Sequence, residues 1–334
     1  GRLEGGLAND DLHEALDLCL GCKACKSECP AQVDMSRLKI EALAHRYARR
    51  GVPTLSRVFG HTHELLALGS RAPKLARLGG RLISRRLGRN VPTPIREWRP
   101  VTTRTTGDEV VLMADTFTRF LHPEVGDAAI RVLEATGAKV TVVNPGCCGR
   151  PLLSQGLVGA ARKRLSGALD ALDSHASAGT PIVTLEPSCW SMLVDDARTL
   201  TEDPRAQAVA EHCVSFERAV LDRGLPVLST QRGHVVVHAH CHAAALGTGD
   251  ETYELLRRLP GATVTASGTG CCGMAGAFGY QHSALSQLIA SARRGGIDDG
   301  QAVATGSSCR AQLGETHLAP AVHPAVLLGS RISS

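Results

Sequence analysis

The sequence predicts an α-helical domain that carries a tight cysteine loop, followed by an α/β domain of two duplicated halves, each with a Cys-Cys-Gly (CCG) segment. Three observations lead there. Helical periodicity runs through the first part of the chain with no strand pattern. After Glu109, short apolar runs alternate with helical stretches, as in parallel β/α units. Landmarks then recur at a nearly constant offset: Cys147 to Cys271 is 124 positions and Cys189 to Cys309 is 120, which indicates an internal duplication. The boundaries read this way are 1–89 for the helical domain, 90–107 for a linker and 108–334 for the duplicated domain, with halves 108–232 and 233–334.

Each element has a local reason. Asn9 or Asp10 caps a helix whose apolar side is Leu12, Ala15, Leu16 and Leu18. The cysteine run follows and Pro30 ends it. Ser36 reads as the cap of a helix to Arg50, with Gly51 after its basic last turn. Further helical patterns cover 55–68 and 75–87, and the Pro- and Thr-rich stretch 90–107 reads as the linker. In the first half, strands are expected at 109–115, 139–143 and 181–186, with a helix over 123–136. In the second half, strands are expected at 234–240, 262–266 and 301–305, with a helix over 251–258.

Composition excludes several classes. No apolar run approaches the roughly 20 residues that span a bilayer. The start Gly-Arg-Leu-Glu-Gly-Gly has no apolar core behind it, so no signal peptide is expected, and a first residue other than Met points to a piece of a longer chain. Net charge is +5, but 71–99 holds nine Lys or Arg against Glu97, or +8, which leaves −3 for the rest. That is a local patch, so a nucleic-acid-binding protein is not expected. The patch reads as a solvated helix face, or as a docking face for an acidic partner or an anionic membrane surface.

Twelve cysteines without export signals suggest metal or redox chemistry in a reducing, cytoplasmic compartment. Adjacent pairs such as Cys147–Cys148 and Cys271–Cys272 rarely form disulfides with each other. Cys19, Cys22, Cys25 and Cys29 followed by Pro30 have the C-x2-C-x2-C-x3-C-P spacing of a ferredoxin-type run for a cubane 4Fe–4S cluster, so 1–89 is expected to be an α-helical ferredoxin-like domain. Zinc sites more often use two separated pairs. In two-cluster ferredoxins the fourth cysteine of such a run serves the other cluster. A partner run is therefore either missing or upstream of Gly1.

Cys241, Cys271, Cys272 and Cys309 fall at or just after strand ends of the second half, where parallel α/β units place their ligands. The first half has only Cys147, Cys148 and Cys189, with Asp115 at the strand end in the place of Cys241. It could hold a cluster only with a borrowed or non-cysteine ligand; buried structural thiols are the other reading of these cysteines. His238, His240 and His242 alternate and would share one strand face. His240 and His242 flank Cys241 and could tune a cluster through its sulfurs. No glycine fingerprint for a nucleotide is visible, and no catalytic residue can be named.

The run DLCLGCKACKSECPAQVDMSRLK (17–39) and the two CCG segments resemble the iron–sulfur portion of FAD-linked 2-hydroxyacid dehydrogenases. The fused D-2-hydroxyglutarate and D-lactate dehydrogenase type is the best match, and the glycolate oxidase iron–sulfur subunit is similar. DTFTRFLHPEVGDAA (115–129), NPGCCGRPL (144–152), EPSCWSML (186–193) and GSSCRAQLG (306–314) carry the likeness along nearly the whole chain. The resemblance implies an electron-transfer module. FAD would sit in an upstream domain or partner subunit, and the acceptor would be a quinone or an electron carrier, with the module in the cytoplasm or peripheral on the inner membrane face. It also implies a non-cubane 4Fe–4S cluster on Cys241, Cys271, Cys272 and Cys309. Two other readings stay open: a CCG subunit that itself acts on a disulfide, like heterodisulfide reductases, and a zinc-stabilised docking scaffold.

Overall fold

The structure, a computed structural model, describes residues 4–268, 270–292, 300–316 and 320–332. Among these the architecture is mixed α/β, helical through Leu87 and with two small parallel sheets beyond it. The Asn9 side chain caps the Asp10–Asp17 helix, accepting from Leu12 N at 2.9 Å. The helix Met35–Arg50 is capped by Asp34 instead of Ser36: its carboxylate accepts from Arg37 N at 3.0 Å, and Ser36 is buried in the first turn. The helical stretch expected over 55–68 is two helices, Thr54–Gly60 and Thr62–Ser70, because the backbone leaves helical geometry at His61. Pro73–Leu87 follows.

Residues 90–107 form no regular element, but they are strapped down. Ile95 N and Trp98 N donate to Phe120 O (2.9 Å) and Arg119 O (2.8 Å), and Trp98 Nε1 donates to Asp127 at 2.7 Å. Arg89 does not belong to the basic surface. Its buried guanidinium donates to Gly279 O (3.0 Å), Ser286 Oγ (2.9 Å) and Glu315 (2.6 Å), which clamps the helical part onto the second half.

The first sheet contains β1 (Glu109–Met113), β2 (Lys139–Val143), β3 (Ile182–Thr184) and β4 (Cys213–Ser215) in the order β2-β1-β3-β4. The second contains β5 (Gly233–His238), β6 (Ala262–Ala266) and β7 (Gln301–Ala304) in the order β6-β5-β7. Every pairing is parallel. In both sheets the first strand of the half lies between its second and third, so the duplication shows in topology as well as in motifs. Strand β4 extends the first sheet alone.

The central strands read as unbroken apolar runs because both faces are covered. Successive side chains point to opposite sides. Val110, Leu112, Val235 and Val237 meet in one core shared by the two halves. On the other side of β1, Val111 and Met113 pack with Cys148 and Cys189. On the other side of β5, Val236 packs with Cys271, Cys272 and Cys309. The shared core joins the halves; each outer core holds its cysteines.

Candidate metal centre

The loop after the first helix is wound tightly by left-handed backbone at Gly21 (φ 66°) and Lys23 (φ 64°). Cys19, Cys22, Cys25 and Cys29 along it are all half-buried. Met35 N donates to Cys25 Sγ at 3.2 Å. Backbone N–H groups of Val33, Ala31 and Gln32 surround the Cys29 sulfur and pull its thiol below the usual range. Lys39 Nζ donates to Cys19 O at 2.7 Å, which brings a cation beside the loop.

The CCG loops are geometrically alike in the two halves. Gly149 N donates to Cys147 Sγ and Gly273 N to Cys271 Sγ, each at 3.4 Å. Gly149 (φ 90°) and Gly273 (φ 89°) are both left-handed. A Cβ at Gly149 would lie 2.7 Å from Ala161 O, and one at Gly273 would lie 2.6 Å from Ser286 O. Conformation and space both demand glycine there.

The strand-to-helix turns differ. Asp115 caps the helix Thr116–Phe120, its carboxylate accepting from Phe117 N (2.8 Å), Thr118 N (3.1 Å) and Thr118 Oγ1 (2.6 Å). His240 caps the helix Cys241–Ala245, its Nδ1 accepting from His242 N at 3.1 Å. The counterpart of Asp115 is therefore His240, and Thr116 occupies the place of Cys241. This corrects the expectation that Asp115 replaces that thiol: its oxygens are engaged by its own helix turn. The expectation of three histidines on one strand face is also corrected, because β5 ends at His238 and the next two belong to the helix cap and first turn.

The structure gathers these loops around one cavity of about 710 Å³. Cys19, Cys147, Cys148, Cys189, Cys241, Cys271, Cys272 and Cys309 line it, with His240 and His242, and it continues between the helices of 35–87 along apolar side chains such as Leu43, Phe59 and Leu66. Cys22, Cys25 and Cys29 are not among its lining residues. Cys148 Sγ and Cys189 Sγ lie 3.3 Å apart. A ring nitrogen of His238 and the sulfurs of Cys272 and Cys309 lie within 4.8 Å of one another, all three residues buried.

A polar network interlocks the loops. Lys23, 1% exposed, donates to Asp195 (2.6 Å) and Asp196 (2.7 Å), and Arg150 donates to Asp196 at 2.6 Å. Lys26 also pairs with Asp195. His242 Nε2 lies 3.0 Å from Gly21 O, and its Nδ1 lies 3.0 Å from Ser191 Oγ. Gly21 O can only accept, which favours the ring proton on Nε2 and leaves Nδ1 facing Ser191 Oγ, whose hydroxyl donates to Ser188 O at 3.1 Å. Burial and then Arg150 hold this imidazole well below the usual histidine range, so it is neutral. Glu186 spans the halves, accepting from Ser307 N at 2.8 Å.

The donor chemistry fits a metal. The thiol of Cys241 is driven far up by the neighbouring Cys271 thiol and by burial. Cys271 is drawn down by Cys241, but Cys272 and burial outweigh this and push it up to about 12. Crowded, buried thiolates are unfavourable unless a cation shares their charge. Cys213 lies apart on β4, where burial alone pushes it up to about 12.

Sequence reading found the cysteines. It missed Lys23, Asp195, Asp196 and Arg150, whose pairing joins residues far apart in the chain, and it undervalued His238. A histidine ending an otherwise apolar β-run was the one available signal for the last.

Two stretches, 114–194 and 235–314, match the family model of the cysteine-rich (CCG) domain. One of the subunits of the anaerobic glycerol-3-phosphate dehydrogenase of Escherichia coli K12 is 28% identical over 239 residues, covering 68% of this chain and 60% of that protein. The D-2-hydroxyglutarate dehydrogenase of Pseudomonas putida is 26% identical over 343 residues, covering 91% of this chain and 33% of that protein. Lactate utilization protein A of Bacillus velezensis is 26% identical over 212 residues, 60% of this chain and 87% of that protein. The chain thus spans 60% and 33% of the first two of these relatives. The matches bear out the resemblance read from the motifs.

Proposed function

We propose that this chain, a relative of dehydrogenase subunits with two cysteine-rich domains, is the iron–sulfur electron-transfer module of an FAD-linked 2-hydroxyacid dehydrogenase. The supporting observation is the convergence of Cys19 and the cysteines of both CCG halves on one cavity, with their loops tied together by Lys23, Arg150 and His242. Cys19, Cys22 and Cys25, with Cys29, would hold a cubane cluster. Cys241, Cys271, Cys272 and Cys309 would hold a second, non-cubane one. Bound there, such clusters supply one-electron chemistry between a reduced flavin and a quinone or carrier. The protein's own part is to fix the spacing of the loops, exclude water from the thiolates and place cations beside them. The flavin belongs to an upstream domain or a partner subunit. In the first half, Cys147, Cys148 and Cys189 lack a fourth thiol and serve as a packed scaffold.

The helix Pro73–Leu87 suits a surface role. Leu75, Leu78 and Leu82 are 72%, 59% and 57% exposed, among exposed Lys74, Arg77, Arg81 and Arg85. An apolar stripe amid basic residues fits the face of an anionic bilayer. No helix among the described residues is long and apolar enough to cross a membrane. Sedimentation with vesicles containing anionic lipid should carry the protein down at low salt, and Leu78→Glu with Leu82→Glu should abolish this.

The deciding experiment for the main reading is iron and acid-labile sulfide per chain after anaerobic purification. Both should be present, with visible absorbance that dithionite bleaches. Stoichiometric zinc without iron would sink the reading and favour a docking scaffold.

A further inference from the structure

We propose that His238 is a nitrogen ligand of the centre held by Cys272 and Cys309, which makes the second-half site a mixed thiolate–imidazole site. This rests on the reading of the second half as a cluster site.

Three observations converge. First, a His238 ring nitrogen and the two sulfurs lie within 4.8 Å of one another, and among the described residues this is the one group of three or more His, Cys, Asp or Glu so placed. Two ligands of one tetrahedral metal atom sit about 3.5–4 Å apart, given metal–sulfur bonds of about 2.3 Å and metal–nitrogen bonds of about 2.1 Å. The three donors therefore surround room for a single metal atom, with Cys241 and Cys271 left for the others.

Second, the strand aims the ring. His238 ends β5, pairs with Ala304 of β7 and lies two residues after Val236. It therefore shares the face on which Cys271, Cys272 and Cys309 pack. Third, its counterpart at the end of β1 is Met113, which packs on the corresponding face with Cys148 and Cys189. The half that has four thiols carries imidazole there, a donor that suits iron; the half that has three carries the thioether of Met113. A neutral imidazole also adds a donor without adding negative charge to a buried site, and in known iron–sulfur centres histidine ligation raises the reduction potential.

The test uses the full chain, prepared anaerobically with and without 15N-histidine, and pulsed EPR of the signal that Cys272→Ser removes. That signal should show a histidine nitrogen coupling that changes with the isotope and disappears in His238→Met. The Met variant copies the residue the first half accommodates at the same place. Absence of a histidine coupling in the wild type, or its persistence in His238→Met (as His240 or His242 would produce), overturns the proposal. If His238→Met releases the iron of that centre altogether, recovery of the iron in His238→Cys, with a lower midpoint potential, supports ligation, and no recovery overturns it. Should Cys272→Ser remove neither iron nor any signal, the cluster reading of the second half fails, and the proposal falls with it.

Discussion

The two halves of the α/β region have the same strand order around the first strand, the same CCG loop and the same glycine geometry, yet they carry different residues around those loops. At matching places the first half has Thr116, Met113, Asp115 and Glu186, where the second has Cys241, His238, His240 and Gly306. The polar residues of the first half are turned to structural work. Asp115 caps its helix, Glu186 accepts from Ser188 N and from Ser307 N of the other half, and Thr116 Oγ1 lies 2.9 Å from His63 Nδ1. The duplication has kept the scaffold and changed what it carries: the first half has bracing contacts where the second has thiol and imidazole groups.

Iron counting can break this comparison. Cys272→Ser or Cys309→Ser should remove about four iron atoms per chain, the content of one 4Fe–4S centre. Cys148→Ser or Cys189→Ser should leave iron unchanged and cost about 1–3 kcal/mol in urea unfolding, as expected for a polar atom placed in a packed core. Equal iron loss from the two sets would end the asymmetry. The converse change sharpens the comparison. Thr116→Cys gives the first half a fourth thiol on the same helix turn that carries Cys241 in the second. Iron content should rise if donor number is what the first half lacks, and an unchanged content would point to the thioether of Met113 as a second obstacle.

Bracing has its own prediction. Lys23 sits inside the cysteine run but is anchored on Asp195 and Asp196 of the first half. Among the described residues, Lys23→Met leaves those carboxylates with Lys26 and Arg150 as cationic partners. Removing one partner from a buried pair costs about 3 kcal/mol. The loss should appear as a lower unfolding midpoint and as faster release of iron from the Cys19 run, with the Cys272-dependent iron unaffected. Equal release from both sites would mean that the network holds the whole cavity and not one loop.

Much of this division was legible in the chain. Asn9 capping, the buried runs EVVLM and HVVVH, and the paired CCG segments are local signals whose physics lies within a few residues. What escaped sequence reading depends on distance or on where an element stops. Asp115 looked like the counterpart of Cys241 because the end of a strand cannot be fixed to one residue from its composition. Once both turns are seen as capped helices, the register moves by one. Arg89 looked like part of a basic surface, and only the fold shows it buried against Glu315. Lys23 follows Cys22 in every reading of the motif, but nothing local predicts acids 172 and 173 residues away.

A last prediction concerns the seam between the halves. Glu217, 5% exposed on the helix Phe216–Arg223, accepts from Thr252 Oγ1 of the second half at 3.2 Å. Burial, with the nearby Glu251 adding to it, pushes its carboxyl up to about 7. A carboxyl whose folded pKa lies above its unfolded value binds its proton more tightly in the native state. Its stabilising contribution is therefore complete below about pH 4.5 and is lost as pH rises through about 7. The loss is on the order of 3 kcal/mol. Glu217→Gln keeps an acceptor for Thr252 and cannot ionise, so the difference between variant and wild type isolates this one group. Anaerobic urea unfolding at pH 5 and pH 8 should show the variant gaining on the wild type at the higher pH. A single transition in both proteins would mean that the shared core makes the halves one cooperative unit. Parallel pH profiles would show that Glu217 is ionised in the folded protein, and two separated transitions would show that donor half and bracing half unfold independently.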